Sequence, residues 1–231
     1  MSKSKLNGVE PAAVVARHGL ELTRLTMLAS VGPHSAREWN ESEILMGVKH
    51  WQSRMWRLVM ELSDFAKTAP GVGGGRSVSW PSADQTGDHL RRNRLFVREY
   101  ARVVNQVIHH YSKSFVLSSV IANLQKLTSL LLKVSSSSKV AGPTSALYLR
   151  ALADLLVMLY PLSPAFACEL WEGYRMALSL APPLLEAALR RHSAWPYDLQ
   201  KDLFDQPFPE AAPVDDDEVD RKLGVSPSSE A

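Results

Sequence analysis

Cysteine is nearly missing from this sequence. Cys168 is the single one in 231 residues, so no disulfide can form within the chain and no oxidising compartment is implied. It lies in an apolar run, Pro164-Ala165-Phe166-Ala167-Cys168, where a buried and inert thiol is expected. Long apolar runs are lacking too. The longest, near Ala151 to Tyr160, is interrupted by Asp154 and stopped by Pro161, well short of the roughly 20 residues that span a bilayer. A membrane partner is therefore not expected. An excess of one charge is also absent: 26 Lys and Arg face 24 Asp and Glu, a net +2. Bulk charge cannot hold a nucleic acid, any such surface must come from local clustering, and DNA is not an expected partner. The first residues, Met1-Ser2-Lys3-Ser4-Lys5, form neither an apolar leader nor an Arg-rich amphipathic presequence, so no targeting signal is expected here.

Strand-like alternation and internal repeats are absent as well, and the apolar residues recur at helical spacing. Pro11 suits a helix start, because its missing N–H costs nothing there, and Gly19 suits the end. A second helix should run from Leu20 toward Gly32-Pro33. Asn40-Glu41-Ser42-Glu43 resembles a capping box, followed by Ile44, Val48, Trp51, Met55, Leu58, Leu62 and Phe65 on one face of a long helix. The Gly-rich stretch from about 69 to 87 predicts a flexible loop. Further helices are expected from about Asp88 to Ser112, from Leu117 to Val134, and after Gly142-Pro143-Thr144. That last one is apolar nearly all round, which marks a central buried helix. Shorter helices should carry Phe166, Leu170, Trp171 and Tyr174, and then Ala181 to Arg191. The predicted class is all-α: a small helical module over 1–38, a helical bundle over 39–205, and a disordered acidic tail over 206–231.

The helix expected from Asp88 carries a row of cations. Arg91, Arg94, Arg98 and Arg102 are spaced 3, 4 and 4 apart and share one face, opposite Phe96, Tyr100, Val103 and Val107. Such a row can bind RNA phosphates, giving shape-dependent and salt-sensitive recognition. It can equally be a solvated face with Glu99 as local partner. Other candidates are weaker. His109 and His110 are adjacent, about 100° apart on a helix, and cannot chelate one metal together, so no metal site is expected. Trp51 and Trp56 suit core anchors better than base-stacking platforms. Glu169 and Glu172 could form an acid pair, but no third polar partner accompanies them.

The nine residues Met1-Ser2-Lys3-Ser4-Lys5-Leu6-Asn7-Gly8-Val9 resemble the KMSKS loop of class I aminoacyl-tRNA synthetases, continued by the Asn-Gly-Val of the leucyl, isoleucyl and valyl branch. The resemblance extends in order to about residue 200. It takes in Glu21 and Arg24, Glu38-Trp39-Asn40, Trp56-Arg57-Leu58-Val59, Pro161-Leu162-Ser163-Pro164 with Cys168-Glu169-Leu170-Trp171-Glu172, and Trp195-Pro196. It is similar above all to leucyl-tRNA synthetases, and Trp51-Gln52-Ser53-Arg54-Met55-Trp56 and Val104 to His110 look like the animal mitochondrial form. The resemblance implies an anticodon-binding-type bundle and leucine tRNA as partner. It also implies a mitochondrial matrix location for the parent enzyme, or the cytoplasm otherwise. By the same resemblance Met1, Ser2, Lys3 and Ser4 would touch ATP, which comes with Mg2+. Lys3, matching the motif's second Lys, would steady the triphosphate as leucyl-adenylate forms. The family's HIGH motif and amino-acid pocket have no match in this chain. Leucine–tRNA ligation would therefore need the upstream catalytic domain, and the isolated chain is expected to be inactive. The alternative is a stand-alone, non-catalytic tRNA- or protein-binding helical module.

Overall fold

The computed structural model describes residues 8–29, 41–68, 87–135, 146–180 and 195–211. Among them every regular element is helical. The helices are α1 (Pro11–His18), α2 (Leu20–Ala29), α3 (Glu41–Thr68), α4 (Gly87–His109), α5 (Leu117–Ser135), α6 (Ala146–Leu159) and α7 (Pro164–Leu180). A π-helical turn, His110–Ser114, follows α4, and a single 3-10 turn, Leu203–Asp205, lies near the end. None of the described helices is long and apolar enough to cross a membrane. The all-α expectation holds, with most helix limits within a few residues of those expected. The Gly-rich 69–86 stretch, the expected Ala181 to Arg191 helix and the chain beyond Ala211 lie outside the described residues.

The ends of these helices follow from local chemistry. Pro11 opens α1, and Gly19 closes it with φ 82°, its N–H donating to the Val15 carbonyl at 2.8 Å. That left-handed φ is one that glycine adopts without steric cost. Phe115 reverses the chain after the π turn with φ 54°, a conformation unusual for a bulky side chain.

The helix expected to be central is central. In α6, Leu147 to Leu149 and Ala151 to Leu159 are buried. Around it α5 packs against α2, α3, α4 and α6, and α7 packs against α3 and α6. The α3–α7 contact is close: a Cβ on Gly173 would come within 2.7 Å of Val59 Cγ1, so α3 and α7 meet where only hydrogen fits. Trp51 is 1% exposed and donates its indole N–H to Thr128 Oγ1 at 2.9 Å, joining α3 to α5. Trp56 is 44% exposed and is not a core anchor. It lies five residues from Trp51, about 140° round the helix, and so falls off the buried stripe.

Both ends of the described chain are tied to the bundle. Of the N-terminal stretch, α1 and α2 are described, and Leu25 of α2 is fully buried in the same core as α3 to α7. Arg24 Nε also donates to the Leu162 carbonyl at 3.3 Å. At the other end, Gln206 does not begin a disordered tail. It is buried, and its Nε2 donates to the carbonyls of Asp198 at 2.7 Å, Lys201 at 3.1 Å and Asp202 at 3.2 Å. Its Oε1 accepts from the Asp198 N–H at 3.0 Å. A polar side chain satisfied by four backbone groups holds this loop closed, which no apolar periodicity could announce.

One acidic side chain lies inside the apolar helix. Asp154 is 1% exposed. It accepts from the hydroxyls of Tyr100 and Tyr197, and from Arg150 Nε at 2.7 Å. The Arg150 guanidinium also sits 5.1 Å over the Tyr197 ring, a cation–π placement. Burial, followed by the charge of Asp154, holds the phenols of Tyr100, Tyr174 and Tyr197 well above their ordinary pKa. Burial works against the Arg150 cation, but Asp154 and the two phenols outweigh it, and its pKa is raised.

Removing the anion strands a buried cation and two hydroxyls. Asp154→Ala is expected to cost about 3–5 kcal/mol of stability, read as a lowered urea midpoint, and an unchanged midpoint would contradict the arrangement. The phenols set a second expectation. Above pH ~10 the unfolded chain's tyrosines ionise while these stay protonated, so the unfolded state binds fewer protons and stability falls as pH rises. Each contributes a slope of about 1.4 kcal/mol per pH unit. The share of phenolate absorbance that comes from Tyr100, Tyr174 and Tyr197 should then appear together with unfolding in an alkaline titration, not before it.

Candidate nucleic-acid interface

The row of cations lies on α4. Phe96, Tyr100, Val103 and Val107 are buried, as are Val97, Ala101 and Val104 beside them, so the helix packs on one side only. On the other side Arg94 and Arg98 are half-buried and Arg102 is exposed. Arg102 Nη1 pairs with Glu99 Oε1, and both side chains are exposed. The opposition of a basic and an apolar face is therefore present, and so is the local partner expected for Arg102. The side chain of Arg91 lies outside the described residues, as do Met1, Ser2, Lys3 and Ser4.

Sequence periodicity missed part of this surface. Beyond Arg102 the four-residue spacing continues to Gln106 and His110, and across from them stand Ser119, Asn123 and Lys126 of α5. Together with Glu99 they line a cavity of about 360 Å3. The α4 residues were legible as a continuation of the row. Lys126 was not, because only the packing of α5 on α4 brings it there. His110 is held by a 2.7 Å hydrogen bond between its Nδ1 and Ser114 Oγ. Burial, and then the neighbouring His109, lower its pKa, so its imidazole is neutral at physiological pH. The two histidine rings meet edge to face, their centroids 5.4 Å apart.

The remaining candidates serve the fold. Glu172 pairs with Arg175 at 2.7 Å, while Glu169 lies on a different wall, that of a wide groove of about 960 Å3 between α2, α3 and α7. Glu21 caps α7 from another helix, accepting from the Ser163 hydroxyl and, at 3.5 Å, from the Phe166 N–H. A carboxylate at that helix start satisfies an open donor and complements the helix dipole. Glu21 and Arg24 thus meet Pro161, Leu162 and Ser163, two stretches quoted separately for the resemblance. Arg57 pairs with Glu61 at 3.3 Å on the surface. Trp195 Nε1 donates to the Tyr197 carbonyl at 2.9 Å.

No family model matches the chain. The probable mitochondrial leucine–tRNA ligase of Mus musculus is 33% identical to it over 196 residues, which cover 84% of this chain. The chain belongs to the leucine–tRNA ligase family. The corresponding protein of Pongo abelii is 32% identical over 197 residues. The leucine–tRNA ligase of Synechococcus elongatus is 30% identical over 172 residues, or 74% of this chain. The chain spans 20% of the length of the two animal relatives and 17% of the cyanobacterial one. Among solved structures, the LeuRS of Agrobacterium radiobacter K84 in its ternary complex with tRNA and LeuAMS matches with a TM-score of 0.57. Sequence identity is 21%, and the match covers 75% of this chain and 20% of that one. That likeness establishes a shared fold, the helical bundle described above.

Cys168 is half-buried rather than buried. Burial raises its thiol pKa, helped by the negative charges of Asp202, Glu172 and Glu21. Since the thiolate is the reactive form, Cys168 should react with a disulfide reagent at neutral pH more slowly than glutathione does. A rate equal to or above that of glutathione would contradict this environment.

Proposed function

We propose that this chain is the tRNA-binding helical part of a leucine–tRNA ligase, gripping leucine tRNA with the basic face of α4. The observation that carries this reading is the row of Arg94, Arg98 and Arg102 turned away from the core, on a helix whose opposite face is buried from Phe96 to Val107. Arginines on a rigid helix present fixed cations to phosphate oxygens, and rigidity lets them read the shape of a folded RNA. The weak surface pairing of Arg102 with Glu99 can be exchanged for a phosphate at little cost. Membership of the leucine–tRNA ligase family supports leucine tRNA as the RNA.

In the intact enzyme of this reading, ATP, which comes with Mg2+, and leucine give leucyl-adenylate and pyrophosphate, and the leucyl group then passes to the tRNA with release of AMP. Lys3, within the Met1 to Ser4 stretch, supplies a cation for the charge that develops on the phosphates. The upstream catalytic domain supplies the amino-acid pocket. The names of the animal relatives support a mitochondrial parent.

Replacing Arg91, Arg94, Arg98 and Arg102 together by Gln is expected to weaken binding of a leucine tRNA transcript on the order of ten- to hundredfold. The slope of log affinity against log salt should fall with it. Circular dichroism should show the helices intact. Equal affinity for the variant and the original chain would remove the α4 face from the interface.

A further inference from the structure

We propose that the cavity between α4 and α5 holds one nucleotide of the bound RNA, with Arg102 and Lys126 on its phosphate and Gln106 and Asn123 on its base or ribose edge. This rests on the RNA reading of α4 and extends it to a defined pocket.

The cavity, about 360 Å3, is at the small end of the range for ligand pockets, roughly 300–1,000 Å3. Its position singles out RNA. The row Arg94, Arg98, Arg102 continues at the same spacing through Gln106 to His110, so a backbone tracking the row arrives at the opening. Its lining chemistry then excludes a peptide side chain as the natural occupant. Protein hot spots need a large aromatic or aliphatic anchor, whereas the apolar side chains here are only Val103 and Ala122. The polar groups are arranged for a nucleotide. Arg102 and Lys126 come from two different helices and converge on one space, a two-sided cation grip suited to a phosphate. The amide of Asn123 is oriented by its Nδ2, which donates to the Ser119 carbonyl at 2.9 Å. Its oxygen remains an acceptor for a base amine or a ribose hydroxyl. The His110 ring is fixed by Ser114 and neutral at physiological pH, and so offers a flat face on which an unstacked base can lie. Glu99 is the one carboxylate in the lining, and it is tied to Arg102. It excludes stray anions until a phosphate displaces it from the guanidinium.

The test uses the whole 231-residue chain and a leucine tRNA transcript, with filter binding over a salt series and phosphate-ethylation interference on the RNA. Lys126→Ala is expected to weaken binding on the order of tenfold and to lower the salt slope by about one. Glu99→Gln, which releases Arg102, should tighten binding a few-fold by the same electrostatics. One phosphate whose ethylation blocks binding to the original chain should become silent with Lys126→Ala. Suppose instead that the original chain binds with an arginine-dependent salt slope while both variants behave like it and keep its interference pattern. The cavity is then not a nucleotide site, although the α4 face stands. If the original chain binds no leucine tRNA at all, face and cavity fall together.

Discussion

Among the described residues the bundle is arranged around one buried acidic side chain. Asp154 sits in the most apolar helix of the chain, where an uncompensated carboxylate would be intolerable, and three partners from three places in the sequence meet it. Arg150 comes from the same helix, Tyr100 from α4 and Tyr197 from the segment beyond α7. Apolar packing alone would let α4 slide or rotate against α6 at modest cost, since one aliphatic contact resembles the next. A phenol that must reach one carboxylate oxygen cannot slide. Tyr100 lies between Arg98 and Arg102 in the sequence, so fixing its direction inward fixes theirs outward. The orientation of the basic face is in this sense decided at the core.

A similar economy links the N-terminal helices to the rest. Glu21 and Arg24 of α2 reach the turn between α6 and α7, 142 and 138 residues away in sequence. One supplies an acceptor to the start of α7, and the other a donor to the last carbonyls before it. These residues belong to stretches that looked like family motifs, and their work in this fold is to position helices. A resemblance shared by two distant stretches can thus mark a contact between them and need not mark chemistry at either.

Helix existence and the buried faces of α3 to α6 were legible because apolar spacing of three and four is a direct consequence of helix geometry. The basic row on α4 was legible for the same reason. What escaped were features that need a second element to define them. Trp56 looked like a core residue until the stripe through Trp51 and Met55 was oriented. Lys126 carries no periodic signal of its own, and only the packing of α5 on α4 brings it to the cavity. Gln206 looked like the start of a tail, because a polar residue satisfied by backbone carbonyls leaves no hydrophobic trace. The ATP contact proposed for Met1 to Ser4 was legible only as a resemblance, and these four residues lie outside the described residues.

The segment that contributes Tyr197 has a consequence for the order in which the molecule can be made. Trp195 to Ala211 crosses the end of the bundle and leans on it through Trp171, whose Nε1 donates to the Lys201 carbonyl at 3.3 Å, and Arg175, which reaches the Leu199 carbonyl at 3.2 Å. Until that stretch has left the ribosome, Asp154 has only part of its shell and α7 keeps an uncovered flank. The helices can form during synthesis, but the core cannot lock. A nascent chain paused before residue 197 would be a bundle whose central carboxyl group keeps Arg150 and Tyr100 but lacks its third partner, with the kind of half-finished surface that chaperones recognise and that aggregation starts from.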